Sequence, residues 1–495
     1  MPAVNLARLG EESVQTWGEY VSLAFEGREW TNVEQQRAAN RFAHALRRLG
    51  VDVGDRVVVL LPNCPEVLQA YAGILKAGGV IVPVVFLLRP DEVRHILADC
   101  EAKTVVTASA FLDKIEGFTG PVVLVGESAD GGWEALIAGE PAAFSSVDRR
   151  DDDLAVILYT AGTTGRPKGV ALSHGNLAAN ARATAELYEL DRTAWALMVL
   201  PLSHSYGLTV MNAGNILGTK GVLMRWFNPE GVLETIQRYR VESMSGVPTM
   251  FVYLLNHPEA ARYDTSSMRL WGSGAAPLPL EIVEPFERTF GGRILEGYGL
   301  TEASPVVSAH RLSGVRKLGS VGQALPGVVV AILDDDDRAL PAGELGEVCV
   351  RGPNVMQGYY RMPDETARTL RAGWLHTGDV GRLDEDGYLF IVERKKDLII
   401  RGGFNVYPRE VEEVLYAHPA VAEAAVVGTA DPVMGEEVVA FVALKPGAGA
   451  DPDTLIAFCQ ARLARYKCPR EVRVVDTLPK SPIGKILRKE LRSRV

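Results

Sequence analysis

Residues 159 to 170 combine the residue types that phosphate binding requires. The segment reads Y-T-A-G-T-T-G-R-P-K-G-V, with glycines at Gly162, Gly165 and Gly169, hydroxyls at Thr160, Thr163 and Thr164, and one cation at Lys168. Glycine lets the backbone approach a ligand closely, N–H groups and hydroxyls donate hydrogen bonds, and lysine neutralises charge. A flexible surface loop can share this composition. We predict that the turn holds the phosphates of a nucleotide.

The turn differs from the P-loop of GTPases and kinases. That pattern is G-x-x-x-x-G-K-[ST], with the lysine directly after the second glycine. Here Gly162 and Gly165 are three residues apart, and Arg166-Pro167 separate Gly165 from Lys168. Proline also lacks the N–H group that a nucleotide-wrapping helix would offer at its start. We therefore expect phosphate binding of another kind.

Two further segments offer surfaces for a ligand. His204 and Tyr206 stand in L-S-H-S-Y-G-L at 202 to 208, beyond the carboxyl end of a predicted strand. Open α/β sheets bind ligands at that end. The stretch W-G-S-G-A-A-P-L at 271 to 278 offers small residues against which a planar base could lie. Taken alone, each segment is more often a turn than a site.

Three later segments hold charged or aromatic side chains. Tyr298 and Glu302 belong to E-G-Y-G-L-T-E-A-S-P, and Asp379 ends W-L-H-T-G-D. A carboxylate such as that of Asp379 can accept both hydroxyls of a ribose, as in other nucleotide folds. Lys485 follows a glycine in P-K-S-P-I-G-K, near the end of the chain. A lysine in a basic terminal helix is usually a solvated cation, so its assignment needs the other segments.

Alternating strand and helix patterns predict an α/β fold for the first half of the chain. Predicted strands are 56–61, 80–84, 105–107, 121–125, 154–158 and 196–200, and predicted helices are 65–76, 176–190 and 231–239. After about Leu312, short strands separated by Gly, Pro and Asp clusters predict a β-rich subdomain. Near residue 393 the pattern changes to a compact α+β segment. We predict an N-terminal domain at 1–395 and a small mobile C-terminal domain at 396–495.

Size and composition are those of a large globular enzyme. The 495 residues allow about three domains of ordinary size. The hydrophobic fraction is 47% and the charged fraction is 23%. The net charge, 52 − 62 = −10, argues against a general nucleic-acid binder, which needs clustered cations. No apolar run reaches the length of a membrane span, and the N-terminus lacks a signal-peptide core, so we expect a cytoplasmic protein.

Cysteines and histidines do not predict a metal centre. The five cysteines lack C-x-x-C spacing and stand at Cys64, Cys100, Cys349, Cys459 and Cys468. An odd, scattered set is typical of reduced thiols packed as small hydrophobic side chains. The eight histidines are dispersed, with no H-E-x-x-H pair. We therefore expect no metal site built from protein ligands alone.

The order and wording of these segments resemble the adenylate-forming superfamily of acyl-CoA synthetases, peptide-synthetase adenylation domains and firefly luciferases. The resemblance runs from about Trp30 to Lys489. It is carried by Y-T-x-G-T-T-G-x-P-K-G, G-Y-G-L-T-E, T-G-D, E-R-K-K-D-L-I-I-R-G-G-F-N-V-Y-P and P-K-S-P-I-G-K, in this order. Among members, the chain looks most like the fatty-acyl and aryl-CoA ligases.

The resemblance implies roles in binding ATP, Mg²⁺ and coenzyme A. The turn from Thr160 to Lys168 would hold the β- and γ-phosphates, and Thr160 and Glu302 would approach Mg²⁺. Adenine would lie between Tyr298 and the stretch Gly274, Ala275 and Ala276. Asp379 and Arg394 would bind the ribose. The cofactor-binding set that the resemblance implies also contains Gly162, Thr163, Thr164, Gly165, Lys168, Glu296, Gly299 and Thr301.

The resemblance also implies a two-step reaction. Lys485 would bridge the substrate carboxylate and the α-phosphate, so that an acyl-adenylate and pyrophosphate form. Because both reactants are anions, charge neutralisation and alignment are the main task. Lys396 would be the hinge about which the C-terminal domain turns, and Gly403 would let the pantetheine arm of coenzyme A pass. His204 is placed among both the catalytic and the acyl-pocket residues.

The acid is expected to be an apolar monocarboxylate. Amino-acid-activating relatives carry F-D-x-S where this chain has L-S-H-S, so Ser203 replaces the aspartate that pairs an amino group. The acyl pocket that the resemblance implies is uncharged and comprises Tyr206, Gly207, Val247, Pro248, Thr249, Gly272, Ser273 and Gly297, beside His204. A dicarboxylate would leave one carboxylate buried and unpaired. A medium- or long-chain fatty acid is favoured, and the small glycines also permit an aryl acid.

Three other functions are considered. A P-loop kinase or ATPase would release ADP, and a regulator without activity would not need Lys485, Asp379, Arg394 and Glu302 together. An enzyme that loads a carrier protein would share the first step and differ in the acceptor. Partners are expected to be a small carboxylic acid and no nucleic acid. Peripheral membrane contact and a homodimer both stay open.

Overall fold

A computed structural model describes residues 5–126, 132–160, 167–187, 189, 191–481 and 484–495. It has two large sheets flanked by helices, a β-rich unit and a small C-terminal α+β unit, which confirms the predicted fold class. No helix within these ranges combines the length and apolarity needed to cross a bilayer.

The elements up to residue 255 alternate between strands and helices. In chain order they are α1 Arg8–Trp17, β1 Val21–Phe25, β2 Arg28–Thr31, α2 Asn32–Arg48, β3 Arg56–Leu60, α3 Pro65–Lys76, β4 Val80–Pro83, α4 Pro90–Asp99, β5 Thr104–Thr107, β6 Val122–Leu124, α5 Gly132–Ala138, β7 Leu154–Thr160, β8 Lys168–Ser173, α6 His174–Ala185, β9 Trp195–Met198, α7 Ser205–Leu217, β10 Lys220–Leu223, α8 Pro229–Tyr239, β11 Val241–Gly246 and α9 Pro248–Leu255.

The remaining elements are mostly strands. They are β12 Leu270–Ser273, α10 Leu280–Phe290, β13 Arg293–Gly299, β14 Val306–Ala309, β15 Gln323–Ala324, β16 Val329–Leu333, β17 Gly346–Arg351, β18 Gly358–Tyr359, α11 Pro363–Thr369, β19 Leu370–Arg371, β20 Trp374–Leu383, β21 Leu389–Arg394, β22 Ile399–Arg401, β23 Phe404–Val406, α12 Pro408–Tyr416, β24 Val421–Asp431, β25 Gly435–Leu444, α13 Pro452–Gln460, β26 Glu471–Val475 and α14 Arg488–Arg492.

The first large sheet has the strand order β18-β8-β7-β4-β3-β5-β6. Its strands β7, β4, β3, β5 and β6 are parallel, and the β-branched side chains of β3, β4 and β5 are buried on both faces, as expected under helices. The sequence predicted these strands to within two residues at each end. β7 ends at Thr160, where the turn that we predict to hold phosphates begins.

The strand β8 was not predicted from the sequence, in which a helix was expected to follow the glycine-rich turn. Instead, residues 168–173 form β8, which pairs antiparallel with β7. The helix α6 starts only afterwards, where the Ser173 hydroxyl accepts a hydrogen bond from Asn176 N at 3.1 Å. It ends at Ala185, before the predicted Leu190. The run K-G-V-A-L-S is short and carries few β-branched residues, so periodicity alone does not reveal a strand.

The second large sheet collects the other predicted ligand-binding segments. Its order is β15-β14-β13-β12-β11-β9-β10-β1-β2, and β10, β9, β11, β12 and β13 are parallel. Parallel strands end at the same edge of a sheet, where ligands bind in open α/β folds. Val247, Gly274 and Gly299 follow or end β11, β12 and β13 at that edge. The start of α7 with Tyr206 lies over the same strands, since the Tyr206 ring reaches Gly272 of β12.

Two smaller sheets carry the last motifs. The β-rich unit has the order β16-β17-β20-β19, with β21 added to β20. The pairing of β20 with β21 sets Asp379 opposite Arg394. The C-terminal sheet has the order β23-β22-β25-β24, with β26 on β25, and α12, α13 and α14 accompany it. This sheet begins after Lys395–Asp397, a single 3₁₀ turn.

A buried amide joins the two large sheets just before the His204 segment. Asn63, 5% exposed, donates to Leu200 O at 3.0 Å and Met224 O at 3.1 Å, and its Oδ1 accepts from Leu202 N at 2.9 Å. The Tyr71 hydroxyl also donates to Leu202 O at 3.2 Å. These bonds fix the backbone that leads from β9 into α7.

We predict that Asn63→Ala destabilises the protein by about 3 kcal/mol, because it leaves buried backbone groups without partners. Urea unfolding followed by tryptophan fluorescence measures the loss. Asn228→Ala is the matched control, since it removes one exposed helix-capping bond to Gly231 N and should cost about 1 kcal/mol. Equal losses in the two variants would contradict the role assigned to Asn63.

Candidate active site

A strand pair flanks the turn that the sequence predicts to bind phosphates. Thr160 and Lys168 lie opposite each other where β7 and β8 meet. Gly162, Thr163, Thr164 and Gly165 lie outside the described residues. The Lys168 ammonium forms an ion pair with Glu365 at the start of α11 and lies 5.3 Å from the centroid of the Tyr359 ring. The lysine is thus held in place by side chains from a distant part of the chain.

Tyr359 connects this lysine to Glu302. Its hydroxyl donates to Glu302 Oε1 at 2.9 Å, and burial together with that carboxylate raises the pKa of Tyr359 above its usual value. Glu302 lies on the 3₁₀ turn Thr301–Ala303 that follows β13. Thr301 Oγ1 is 3.3 Å from Ser205 Oγ at the start of α7. The turn, the G-Y-G-L-T-E segment and the His204 segment therefore meet.

Tyr298, Asp379 and Arg394 form one hydrogen-bonded group. The Tyr298 hydroxyl donates to Asp379 Oδ2 at 2.6 Å, and Arg394 Nε lies 3.0 Å from Asp379 Oδ1. Asp379 is 3% exposed. Burial, and then the Asp379 charge, raise the pKa of Tyr298 well above its usual value, so the phenol stays protonated. The group brings together an aromatic ring, a carboxylate and a guanidinium from segments up to 394 − 298 = 96 residues apart in the chain.

Glu347 supports the turn that carries Asp379. Its Oε1 accepts from Gly378 N at 3.0 Å, and its Oε2 lies 3.5 Å from the Lys395 ammonium and 3.9 Å from Arg371 Nη2. His376 Nδ1 lies 3.3 Å from the same Oε2 and 3.4 Å from Cys349 Sγ. Two protein cations already face this buried carboxylate. We therefore interpret the group as a hydrogen-bonded support for the turn.

Lys485 lies at the centre of the site. Burial, and then the neighbouring Arg394 guanidinium, lower the pKa of Lys485 to about 8, while Asp379 acts in the opposite direction. Burial, and then the Lys485 charge, lower the pKa of His204 to about 4, so its imidazole is neutral at pH 7. The His204 ring Nδ1 accepts from Tyr206 N at 3.2 Å. The C-terminal segment thus brings Lys485 near Arg394 and Asp379 and near His204, which precedes α7.

The predicted acyl-pocket residues are in contact, but protein atoms occupy the space beside the glycines. A Cβ atom at Gly272 would lie 3.3 Å from the Tyr206 hydroxyl and 3.1 Å from Ser245 Oγ. A Cβ atom at Gly274 would lie 3.2 Å from the Tyr206 ring. Tyr206 therefore lies across the strand β12. Gly272 was predicted for the acyl pocket and Gly274 for adenine, and in this arrangement Tyr206 packs beside both.

Backbone oxygen atoms lie close to Gly207 and Gly297, the other two glycines of the predicted acyl pocket. A Cβ atom at Gly207 would lie 2.3 Å from Pro201 O, and one at Gly297 would lie 3.2 Å from Ser308 O. Close packing of a helix start and of two strands thus explains why these positions are glycine. Val247 is buried at the end of β11. None of these side chains is charged.

Four predicted cofactor residues shape the backbone or contact it. Ala275 has φ +68° in the bend after β12, and Gly274 N donates to Gly246 O at 3.2 Å. The Glu296 carboxylate is turned toward the end of that bend, where it accepts from Leu278 N at 3.2 Å. Burial raises its pKa to about 7. Gly299 packs against Pro305 O.

Partial burial, and then the Arg394 charge, lower the pKa of Lys396, so this lysine lies near the Arg394–Asp379 pair, whereas Gly403 lies at the surface. Lys396 lies on the 3₁₀ turn between the β-rich unit and the C-terminal sheet. Gly403 is exposed in the turn between β22 and β23, with φ +81°. Phe404, beside it, is 60% exposed. For Gly403 to meet the site, the C-terminal unit would have to turn.

Three residues of this site were not found from the sequence. Tyr359, Glu365 and Glu347 stand in segments with no glycine-rich or charged pattern that marks a ligand site. They hold Lys168, Glu302 and Gly378 across the fold. Knowledge of the strand pairing of β18 with β8 is needed to bring Tyr359 close to Lys168.

The fold and the site together define an adenylate-forming enzyme with a large α/β N-terminal domain and a small C-terminal domain. Residues 10–360 match the family model described as "AMP-binding enzyme", and residues 410–485 match "AMP-binding enzyme C-terminal domain". The chain belongs to the AMP-binding enzyme family. It is an AMP-forming acid–CoA ligase, an enzyme class that uses ATP, Mg²⁺ and coenzyme A.

Curated relatives cover almost the whole chain. It is 38% identical to a long-chain-fatty-acid–CoA ligase of Bacillus subtilis over 529 residues, which span 99% of this chain and 94% of that protein. It is also 38% identical to a feruloyl-CoA synthase of Amycolatopsis sp over 480 residues, 94% of each chain. The two relatives have the same percentage identity to this chain, although their names give different acids.

A solved relative in two states indicates the domain arrangement. ATP-bound MatB from Rhodopseudomonas palustris superposes with a TM-score of 0.93 at 34% identity, over 100% of this chain and 99% of that one. The apo form of MatB, at the same identity and coverage, gives 0.81. Because the sequence compared is the same, the difference reflects conformation. The arrangement described here is closer to the ATP-bound one.

We predict that Asp379→Asn lowers the affinity for ATP by about 10- to 100-fold, because the change removes a charged hydrogen-bond acceptor and leaves Arg394 without its partner. Titration with ATP followed by tryptophan fluorescence measures the change. Asp386→Asn is the control in the same unit, since Asp386 is an exposed partner of Lys317. Unchanged affinity in Asp379→Asn would contradict a nucleotide contact.

Proposed function

We propose that this ligase activates an apolar monocarboxylic acid, with a medium- or long-chain fatty acid favoured. The observation that carries the proposal is that the side chains expected around the acyl part of the acid carry no charge. Tyr206, Val247 and the pocket glycines bear no charge, and the His204 imidazole is neutral at pH 7. The second carboxylate of a dicarboxylate would be buried without a partner there, at a cost of several kcal/mol.

Lys485 is the proposed catalytic residue of the first step. The acid carboxylate and the α-phosphate of ATP repel each other, and a cation between them lowers that repulsion and aligns them. Partial burial strengthens the attraction because less water screens it. A bond forms between a carboxylate oxygen and the α-phosphorus, and pyrophosphate leaves with the bonding electrons. Arg394 adds a second positive charge near the same place.

The other site residues are proposed to bind and orient the substrates. The turn from Thr160 to Lys168 holds the β- and γ-phosphates, Tyr298 and the bend after β12 hold adenine, and Asp379 and Arg394 hold the ribose. Thr160 and Glu302 fit Mg²⁺, because hydroxyl and carboxylate oxygens are the ligands it prefers. The ion would neutralise phosphate charge when it is bound.

The second step is proposed to need a different domain arrangement. The thiol of coenzyme A gives its proton to solvent and attacks the acyl carbonyl carbon, a C–S bond forms as the C–O bond to the phosphate breaks, and AMP leaves with the bonding electrons. Lys485 occupies the approach to that carbonyl in the first arrangement. We assign the hinge to Lys396 and the domains to 1–395 and 396–495, and we expect Gly403 and its exposed hairpin to reach the site after rotation.

An aryl acid is the second candidate substrate. The Tyr206 ring lies across Gly272 and Gly274, where it could stack with a flat acyl group. The feruloyl-CoA synthase of Amycolatopsis sp supports this candidate as strongly as the Bacillus subtilis ligase supports the fatty acid. Transfer to a carrier protein is an alternative second step. A cytoplasmic location is part of the same proposal.

A panel of acids tests the substrate. Pyrophosphate release is measured with ATP and Mg²⁺, with and without coenzyme A, for medium- and long-chain fatty acids, benzoate, a coumarate-type acid, malonate and phenylalanine. We predict the highest kcat/KM for the fatty acids and at least about 100-fold lower values for malonate. Preference for the ring acids would overturn the fatty-acid choice. Pyrophosphate release without consumption of coenzyme A would favour carrier loading.

The pH dependence of adenylation tests Lys485. Because the ammonium form is needed and its pKa is about 8, kcat/KM for adenylation should fall above about pH 8, by about tenfold per pH unit once the lysine is largely neutral. In Lys485→Arg the guanidinium stays charged, so the variant should be slower but should lack this decline. A decline that persists unchanged in Lys485→Arg would show that another group titrates.

A further inference from the structure

The segment that carries Lys485 is a closed hairpin. Lys480 and Ile486 form a β-bridge, Ser481 N donates to Lys485 O at 2.7 Å, and Gly484 N donates to Ser481 O at 2.8 Å. Ser481 Oγ also accepts from Lys485 N at 3.1 Å. Residues 482 and 483 lie outside the described ranges. The backbone of Lys485 is thus fixed within its own hairpin.

One face of α9, in the N-terminal domain, contacts both arms of this hairpin. Thr249 Oγ1 donates to Gly484 O at 2.8 Å, directly before the catalytic lysine. The Lys480 ammonium donates to the Tyr253 hydroxyl at 2.5 Å and lies 4.7 Å from the centroid of the Tyr253 ring. Thr249 and Tyr253 are four residues apart, so a helix presents them on the same side.

The fit between the hairpin and the start of α9 is close. Gly484 has φ +83°, and a Cβ atom on it would lie 3.3 Å from Val247 Cγ2 and 3.8 Å from Thr249 Cβ. A glycine is needed both for the positive φ and for this approach. The hairpin therefore lies flat against the residues where β11 passes into α9.

We propose that Thr249 and Tyr253 are positioning residues of the first half-reaction, which seat the Lys485 hairpin on α9 and release it before the second. The inference rests on the proposed function of Lys485 and goes beyond it, because it names the surface that sets the lysine. The two residues act through the hairpin and need not touch the acid, ATP or coenzyme A.

The contacts of the Lys485 hairpin with Thr249 and Tyr253 are weak enough to break and form again in each turnover. A neutral hydrogen bond such as that of Thr249 favours the closed arrangement by about fivefold. Tyr253 is 43% exposed, so water screens its contact with Lys480. Lys480 also pairs with Glu423 of its own domain at 2.8 Å, so that its charge keeps a partner when the hairpin leaves α9. The docked state is thus favoured without being permanent.

A role of Thr249 in the acyl pocket is the alternative, since Val247 and Pro248 adjoin it. The two roles differ in kinetics. A pocket residue changes the KM for the acid, whereas a residue that seats the catalytic lysine changes kcat of adenylation and leaves that KM unchanged. The comparison of the two half-reactions separates them further.

The test uses Thr249→Val, Thr249→Ser and Tyr253→Phe in the full chain. Adenylation is measured by acid-dependent ATP–pyrophosphate exchange, and thioester formation is measured from supplied acyl-adenylate and coenzyme A. We expect Thr249→Val to lower kcat of exchange about fivefold, Tyr253→Phe to lower it about two- to fivefold, and Thr249→Ser to restore it. The rate of thioester formation should not fall in any of them.

Thr289→Val is the matched control, because its hydroxyl bonds to Pro285 O within α10, at 2.9 Å. It should leave both half-reactions unchanged. Thermal melting of each variant separates lost folding from lost docking. Equal loss of both half-reactions, no loss of exchange, or a raised KM for the acid with unchanged kcat would each overturn the proposal. A wild-type enzyme that forms no pyrophosphate with any acid would instead overturn the proposed function.

Discussion

The proposed chemistry depends on two cations that are held close together and partly out of water. Lys485 and Arg394 face the same space, and their mutual repulsion contributes to the lowered pKa of Lys485. Asp379 neutralises part of this charge through its ion pair with Arg394. The remaining positive charge is what two anionic substrates need. Burial, and then the Lys485 charge, lower the pKa of His204 and keep its imidazole neutral, so the cations stand beside uncharged side chains.

Much of the fold could be predicted because burial leaves a strong pattern. The strands β3, β4 and β7 are short β-branched runs that the sequence located to within two residues, and α3 was located without error. The prediction failed at β8, where the apolar pattern is weak and the pairing with β7 decides the structure. It also placed the end of α6 too late, because the alanine-rich pattern carries no stop signal before Leu190.

The site was predictable where one short segment contains the chemistry. Asp379, Glu302 and Lys485 stand in motifs whose order along the chain is distinctive, and Tyr298 and Arg394 meet Asp379. Tyr359 and Glu347 could not be recognised from the sequence, because their contacts with Glu302 and Gly378 depend on how distant strands pair. Gly272 shows a further limit. A glycine in a pocket motif suggests room for a ligand, yet Ser245 Oγ and the Tyr206 hydroxyl occupy the space beside Gly272 in this arrangement.

Two cations that contact the N-terminal domain are also paired within the C-terminal unit. Glu393, three residues before Lys396, accepts from Arg488 Nη1 at 2.8 Å and from Arg409 N at 3.1 Å. Arg488 also pairs with Glu412 at 2.7 Å, and Lys480, which contacts Tyr253, pairs with Glu423 at 2.8 Å. In the proposed rotation these two cations keep a carboxylate partner, so neither becomes an unpaired charge, which would be costly.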